Sequence, residues 1–206
     1  MANSRKIEEF DYVLVVEGYG DLLFYAEMLE EVGKNEEVFI KQIEGIFEYE
    51  TKLETLINPG FLASKSAIAF IFDADTNPQA RRSSFEALLT RLTGQAVVNG
   101  QWTEGSPKIG LFIVPGGDQV GEIETLVWNS WASDGANDQQ KQCIESYVAC
   151  MEGAGAAAHS APKGLIGALL AIKSDEDPRL GPGARDNVFD LKRLELFPLK
   201  TFLSGF

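Results

Sequence analysis

Two short runs in this chain are apolar at nearly every position and rich in β-branched or aromatic residues: Tyr12-Val-Leu-Val-Val16 and Ala67-Ile-Ala-Phe-Ile-Phe72. A strand with one face in water alternates apolar and polar residues, so a short run without alternation fits a strand buried on both faces. A parallel sheet sandwiched between helices meets that condition, and the intervening segments suit it. After Val16, Glu17-Gly-Tyr-Gly20 breaks the first strand. Asp21 then opens a predicted helix with Leu22, Leu23, Ala26, Leu29 and Val32 on one stripe, ending at Gly33. Val38-Phe-Ile-Lys-Gln-Ile43 reads as a second strand, and a helix over 48–57 stops near Asn58-Pro59-Gly60. The run ending at Phe72 leads directly into Asp73, and a helix over 83–92 follows it, closed by Thr93-Gly94. Residues 108–114 form a further strand ended by Pro115, and 121–132 a helix with Glu122 and Glu124 in its first turn. Strands alternating with helices predict an α/β fold: a Rossmann-like, mostly parallel sheet with helices on both faces.

The remaining segments fit around that core. Ala96-Val-Val98, a turn at Asn99-Gly100 and Gln101-Trp-Thr103 suggest a small hairpin. From Gln139 the chain turns helical through Ile144, Val148 and Met151, with Cys143 and Cys150 expected as buried helix residues. A last helix is expected over 163–172. Residues 175–185 read as a polar, Gly/Pro-rich loop, and the segment from Val188 is apolar enough to dock back. The expected organisation is a polar tail over 1–10, an α/β core over 11–133 and a mainly helical extension over 134–206 packed on the core. A length of 206 residues suits one sizeable domain.

Charge narrows the function. Eighteen Lys and Arg stand against 31 Asp and Glu, a net charge of −13. Non-specific affinity for nucleic acid comes mainly from cations neutralising phosphates. Here the densest basic patch is the Arg81-Arg82 pair. A nucleic-acid partner would therefore be held locally, through a metal, or with a second protein. Cys143 and Cys150 are seven apart, two helical turns on one face, too far for a direct disulfide. With one histidine in the chain, a zinc site is not expected. No signal peptide is read, and the apolar runs are too short to span a membrane, so a cytoplasmic location is expected.

The chemistry is expected where the strands end, because open parallel sheets bind ligands outside the carboxyl ends of their strands. Glu17 follows the first strand, Asp73 and Asp75 the third, and Asp118 comes shortly after the last. Glu122 and Glu124 lie in the next helix's first turn. Carboxylates gathered on one edge repel and raise each other's pKa unless a cation compensates. Mg²⁺, which prefers oxygen ligands and keeps several waters, is the usual solution. Structural roles are also open to these residues: Asp21 as a helix cap, the Asp-x-Asp as a turn, Glu122 and Glu124 as complements to a helix dipole. Two apart on a helix, those two glutamates are expected to point to different sides.

Val16-Glu17-Gly18-Tyr19-Gly20-Asp21 resembles the first motif of the Toprim superfamily, and Ile71-Phe72-Asp73-Ala74-Asp75 resembles the second. The closer resemblance is to a small stand-alone Toprim-like group of unknown function, related to the nuclease Toprim domains of the overcoming-lysogenisation-defect class. It rests on Phe72-Asp-Ala-Asp-Thr-Asn-Pro78, Pro115 and Gly121-Glu-Ile-Glu124-Thr-Leu126. The segment from His159 to Lys163 and the glycines near Gly181 resemble that group less specifically. The resemblance implies Glu17 as general acid/base and Asp73, Asp75 and Glu124 as ligands of Mg²⁺ or Mn²⁺. Asp21, Glu122 and Lys163 are further candidates.

The implied function is metal-dependent phosphodiester or nucleotidyl chemistry on nucleic acid. The implied partners are nucleic acid and a separate ATPase or helicase, since this chain carries no Walker A sequence. The alternative is a non-catalytic Toprim-like partner subunit in DNA defence or repair. A haloacid-dehalogenase-type phosphatase ranks lower: its Asp-x-Asp usually follows the first strand, with Thr or Val where this chain has Asn77.

Overall fold

Strands β1 (Tyr12–Val16), β2 (Val38–Gln42), β3 (Ala67–Asp73) and β4 (Lys108–Val114) form one sheet in the spatial order β2-β1-β3-β4. Every neighbouring pair is parallel. This computed structural model describes residues 6–43, 49–156, 158, 160–174 and 177–206. The expected α/β architecture is present, with helices on both faces and a helical C-terminal extension.

Side chains alternate across the sheet with the period of two that strand geometry imposes. On one face Val13, Val15, Ile68, Phe70, Phe72, Leu111 and Ile113 pack under α2 (Tyr49–Leu56), α3 (Pro59–Ala63) and α4 (Pro78–Thr93). On the other, Leu14, Val16, Ala69, Ile71, Phe112 and Val114 pack under α1 (Tyr19–Glu31) and α5 (Ile123–Ala132). The latter core is completed by α6 (Asp138–Gly153), α7 (Ala161–Lys173), α8 (Leu180–Arg185) and α9 (Phe197–Leu203). Phe70 and Phe72 are at most 2% exposed, and burying such a side chain stabilises by roughly 1.5–3 kcal/mol. The 3₁₀ turn Ile7–Glu9 is tied down as well, since Lys65 Nζ donates to the carbonyls of Ile7 and Phe10.

Several local expectations are corrected. Residues 96–103 form no hairpin. Asn99 bridges Leu111 and Trp102 bridges Gly110, so the segment lies along the free edge of β4. The Asn99-Gly100 turn itself is present, with Gln101 N donating to the Val98 carbonyl, but Trp102 stacks on Phe202 and donates to its carbonyl, so the two arms pair with β4 and its surroundings rather than with each other. Helix α4 starts at Pro78, five residues before the expected position, because Asn77 caps it by accepting from Ala80 N. The buried stripe of α1 is Phe24, Tyr25, Met28 and Leu29, which shares only Leu29 with the predicted one; Leu22 and Val32 flank it.

The expected loop over 175–185 contains helix α8, with Gly181, Pro182, Gly183 and Ala184 buried. A methyl group on Gly181 would lie 2.1 Å from Leu23 Cβ, so only glycine lets α8 approach α1 this closely. Cys143 and Cys150 are exposed free thiols, because Ile144 and Val148 form the inward face of α6. The expected helix start at Glu48 and the residue His159 lie outside the described residues. Among the described residues no helix is long and apolar enough to cross a membrane.

Candidate functional site

The strand order fixes where the acids meet. From β1 the chain crosses through α1 to β2 on one side, and from β3 through α4 to β4 on the other. With right-handed crossovers, opposite directions of travel place α1 and α4 on opposite faces, leaving a crevice at the carboxyl ends of β1 and β3. The register pairs Val16 with Ile71, so Glu17 emerges beside the Phe72–Asp73 end of β3.

Arg81, three residues into α4, ties this end of the sheet together. Its Nη2 lies 3.2 Å from Glu17 Oε2, and its Nε lies 3.2 Å from Asp75 Oδ2 and 3.1 Å from the Asp73 carbonyl oxygen. The guanidinium also sits over the Phe85 ring, 5.0 Å from the centroid. Among the site residues described here, Arg81 is the one that reasoning from sequence did not select. A signal for it existed: a cation in the first turn of a helix opposes the helix dipole and implies carboxylates nearby.

The Asp-x-Asp segment is anchored from the β4–α5 loop. Asp75 and Gly121 exchange backbone hydrogen bonds of 2.9 and 2.7 Å, and Ala74 N donates to the Val114 carbonyl. Asp75 has φ 51°, a left-handed conformation that costs a non-glycine residue roughly 1 kcal/mol. Gly121 has φ 123°, and a Cβ there would fall 2.2 Å from Thr125 Oγ1, so the bridge requires glycine. Asp73 Oδ1 accepts from Ile123 N at 3.2 Å, placing its carboxylate at the positive end of α5. Asp21 accepts from Gly18 N at 3.0 Å, which is a helix-capping contact within α1.

Glu122 and Glu124 both face Lys163, contrary to the expectation that they diverge. Lys163 Nζ is ion-paired to Glu122 and lies 3.3 Å from Glu124 Oε1. Glu122 is the N-cap of α5 with extended backbone (φ −137°), so helical periodicity does not yet apply to it. Ser160, the N-cap of α7, also donates to Glu122. Asp118 is exposed and ion-paired to Arg82 at 2.7 Å, away from the cluster.

Burial governs the protonation of these groups. It raises the pKa of Glu17; Arg81 opposes the shift and Asp75 adds to it. Asp73 is raised well above the ordinary carboxylate value by burial and then by the charges of Asp21, Glu17 and Glu124. Asp21 and Glu124 are raised by burial as well, with Lys163 opposing in both. Burial alone would lower Lys163, but the hydrogen bond to Glu122 and the charges of Glu124, Glu122 and Asp73 outweigh it and raise its pKa. The acids from three elements thus form one interacting set with too little positive charge.

The family described as "Protein of unknown function (DUF3226)" matches residues 11–206. This chain belongs to DUF3226. The match spans the strand-end acids and the helices that bring in Lys163. No curated protein and no solved structure matches this DUF3226 chain.

As to a metal, among the described residues no group of three Asp, Glu, His or Cys side chains is arranged to hold an ion. The donor set nonetheless fits a hard divalent cation in kind. It is all oxygen, and Glu124 Oε2 is buried without a hydrogen-bond partner. Mg²⁺ needs only one or two carboxylates directly and completes its shell with water.

Proposed function

We propose that this DUF3226 chain is a Toprim-like protein whose acidic cluster binds Mg²⁺ or Mn²⁺ and supports phosphodiester or nucleotidyl chemistry on nucleic acid. The observation that carries the reading is the meeting of Glu17, Asp73 and Asp75 at the strand-order reversal, where Arg81 contacts all three. A divalent ion held there would neutralise the repelling carboxylates and polarise a phosphoryl oxygen. Asp73 and Asp75 are assigned to hold it, with Glu124 contributing its unpartnered oxygen. Glu17, with its pKa raised by burial, suits a group that gives and takes protons during the reaction. Lys163 and Arg81 are placed to meet phosphate oxygens, Asp21 positions the α1 end of the crevice, and Glu122 holds Lys163. The exposed thiols of Cys143 and Cys150 suit a reducing, cytoplasmic setting.

A second reading, a non-catalytic subunit working with a separate ATPase or helicase, is favoured by one observation. Arg81 and Lys163 already neutralise part of the cluster, and the net charge of −13 offers little grip on nucleic acid. The test is cleavage of single- and double-stranded DNA and RNA with Mg²⁺ or Mn²⁺, comparing the natural chain with Asp73→Ala and Glu17→Gln. Metal-dependent cleavage lost in both variants supports the enzyme reading. Absence of cleavage on every substrate moves the assignment to the partner subunit.

A further inference from the structure

We propose that Tyr25 is a positioning residue of the cation site, its phenolic O–H donating to the Asp73 carboxylate when a divalent ion is held there. This deepens the metal reading above and rests on it.

The sheet divides the strand-end acids between its two faces. Side chains alternate along β3, and Ala69 and Ile71 belong to the core under α1 and α5. Asp73, two residues further on, therefore projects to that same side, where Ile123 N donates to its Oδ1. Glu17 follows the inward-facing Val16 and falls on the other side, against Arg81 of α4. Tyr25 lies on the Asp73 side. It packs in the same core as Ile71, Ile123 and Val127, and it stands one helical turn beyond Asp21 on one face of α1. The charges of Asp21, Asp73, Glu124 and Glu17 act on its hydroxyl, in that order.

The hydroxyl is otherwise unused. Tyr25 is 2% exposed, and among the described residues its oxygen makes no hydrogen bond. Leaving a buried polar group unpaired is costly, and phenylalanine would fill the same core space without that cost. Burial and the surrounding carboxylates raise the pKa of the phenol well above its ordinary value, so it meets these acids as a donor. Acceptors are spare on the same side. No described group donates to Asp73 Oδ2, and Glu124 Oε2 is buried without a partner.

Carboxylates that ligate an ion are held in orientation by hydrogen bonds from a surrounding shell. Ile123 N supplies one such bond to Asp73, and Tyr25 is placed to supply another. Asp73 is the recipient because Asp21 is turned back to cap Gly18 N and Glu124 meets Lys163.

The experiment compares the natural chain with Tyr25→Phe, which deletes the hydroxyl and keeps the ring, and with Tyr147→Phe at an exposed tyrosine of α6. Mn²⁺ binding, read by electron paramagnetic resonance of the free ion, should weaken about tenfold or more in Tyr25→Phe and stay unchanged in Tyr147→Phe. Adding Mg²⁺ should shift the tyrosine ultraviolet absorption of the natural chain and of Tyr147→Phe, but not of Tyr25→Phe. Without metal, the urea midpoint of Tyr25→Phe should equal or exceed that of the natural chain, whereas a hydroxyl with a structural partner predicts a loss. Equal Mn²⁺ affinity of Tyr25→Phe and the natural chain, an absorption shift that persists in Tyr25→Phe, or a lowered midpoint would each overturn the role of Tyr25 and leave the ion site standing. Absence of Mn²⁺ binding by the natural chain would overturn the metal reading along with it.

Discussion

Replacing Arg81 with methionine removes the guanidinium that links β1, β3 and the Asp-x-Asp turn while keeping an apolar stem over Phe85. The contact to Glu17 joins side chains that are 16% and 18% exposed. A hydrogen bond to a charged group in such a setting contributes roughly 1.5–3 kcal/mol. The contact to Asp75, 42% exposed, is screened by water and contributes about 0.5 kcal/mol. The bond to the Asp73 carbonyl adds about 1 kcal/mol. Glu17 can relax toward solvent, so the expected net loss at pH 7.5 is about 2–3 kcal/mol. The loss also depends on pH. Burial raises the pKa of Glu17 and Arg81 opposes this, so without Arg81 the folded-state pKa rises further. A carboxyl raised in this way favours the fold while protonated, below its unfolded-state value, and loses that contribution as pH rises through the folded-state value. The deficit of Arg81→Met should therefore shrink as pH falls from 7.5 toward 5. Urea unfolding followed by the fluorescence of buried Trp128 and Trp131 measures both effects. A deficit below about 0.5 kcal/mol, or one that does not vary with pH, refutes the claim that Arg81 compensates these carboxylates.

Two further predictions concern stability. Asp73→Asn removes a carboxyl whose charged form is disfavoured by burial and by Asp21, Glu17 and Glu124, while its amide oxygen can still accept from Ile123 N. The stability of this variant relative to the natural chain should therefore rise by about 1 kcal/mol as pH increases through the titration of Asp73. That gain should vanish at low pH, where Asp73 in the natural chain is protonated; urea unfolding across pH reads it, and a gain that grows on acidification would contradict the assignment. Gly181→Ala sets a methyl group 2.1 Å from Leu23 Cβ and 2.9 Å from the Leu23 backbone, and should cost about 2 kcal/mol in the same assay. A neutral result there would mean that α8 is not held against α1.

The sheet was legible in the sequence because β1, β3 and β4 lie between two layers and are apolar at nearly every position, whereas the edge strand β2 carries Lys41 and Gln42. The β4 boundaries and the acids at the strand ends followed directly from that pattern. What escaped reading depended on contacts distant in sequence. Residues 96–103 resemble a hairpin locally, but Trp102 finds Phe202 one hundred residues later. Gly181 and Gly183 read as loop glycines, although the missing side chain of Gly181 lets a short helix press on Leu23 of α1 and that of Gly183 lets it press on Leu170 of α7. The exposed cysteines were misjudged because residue type outweighed the phase of α6, which Ile144 and Val148 set. At the site, Glu122 and Glu124 were read with helical periodicity across a position that is not yet helical. Arg81 was visible only as basic charge until the fold brought Glu17 within 3.2 Å, across 64 residues of chain.

The central claim is that this carboxylate cluster binds a divalent cation. Titration with Mn²⁺ at pH 7.5, read by electron paramagnetic resonance of the free ion, tests it without requiring any substrate. The natural chain should bind Mn²⁺ and release it to excess Mg²⁺. Asp73→Asn should weaken binding about tenfold or more, while Glu104→Gln, an exposed substitution outside the cluster, should not. Equal Mn²⁺ binding by the natural chain and Asp73→Asn, or none by either, would contradict the account.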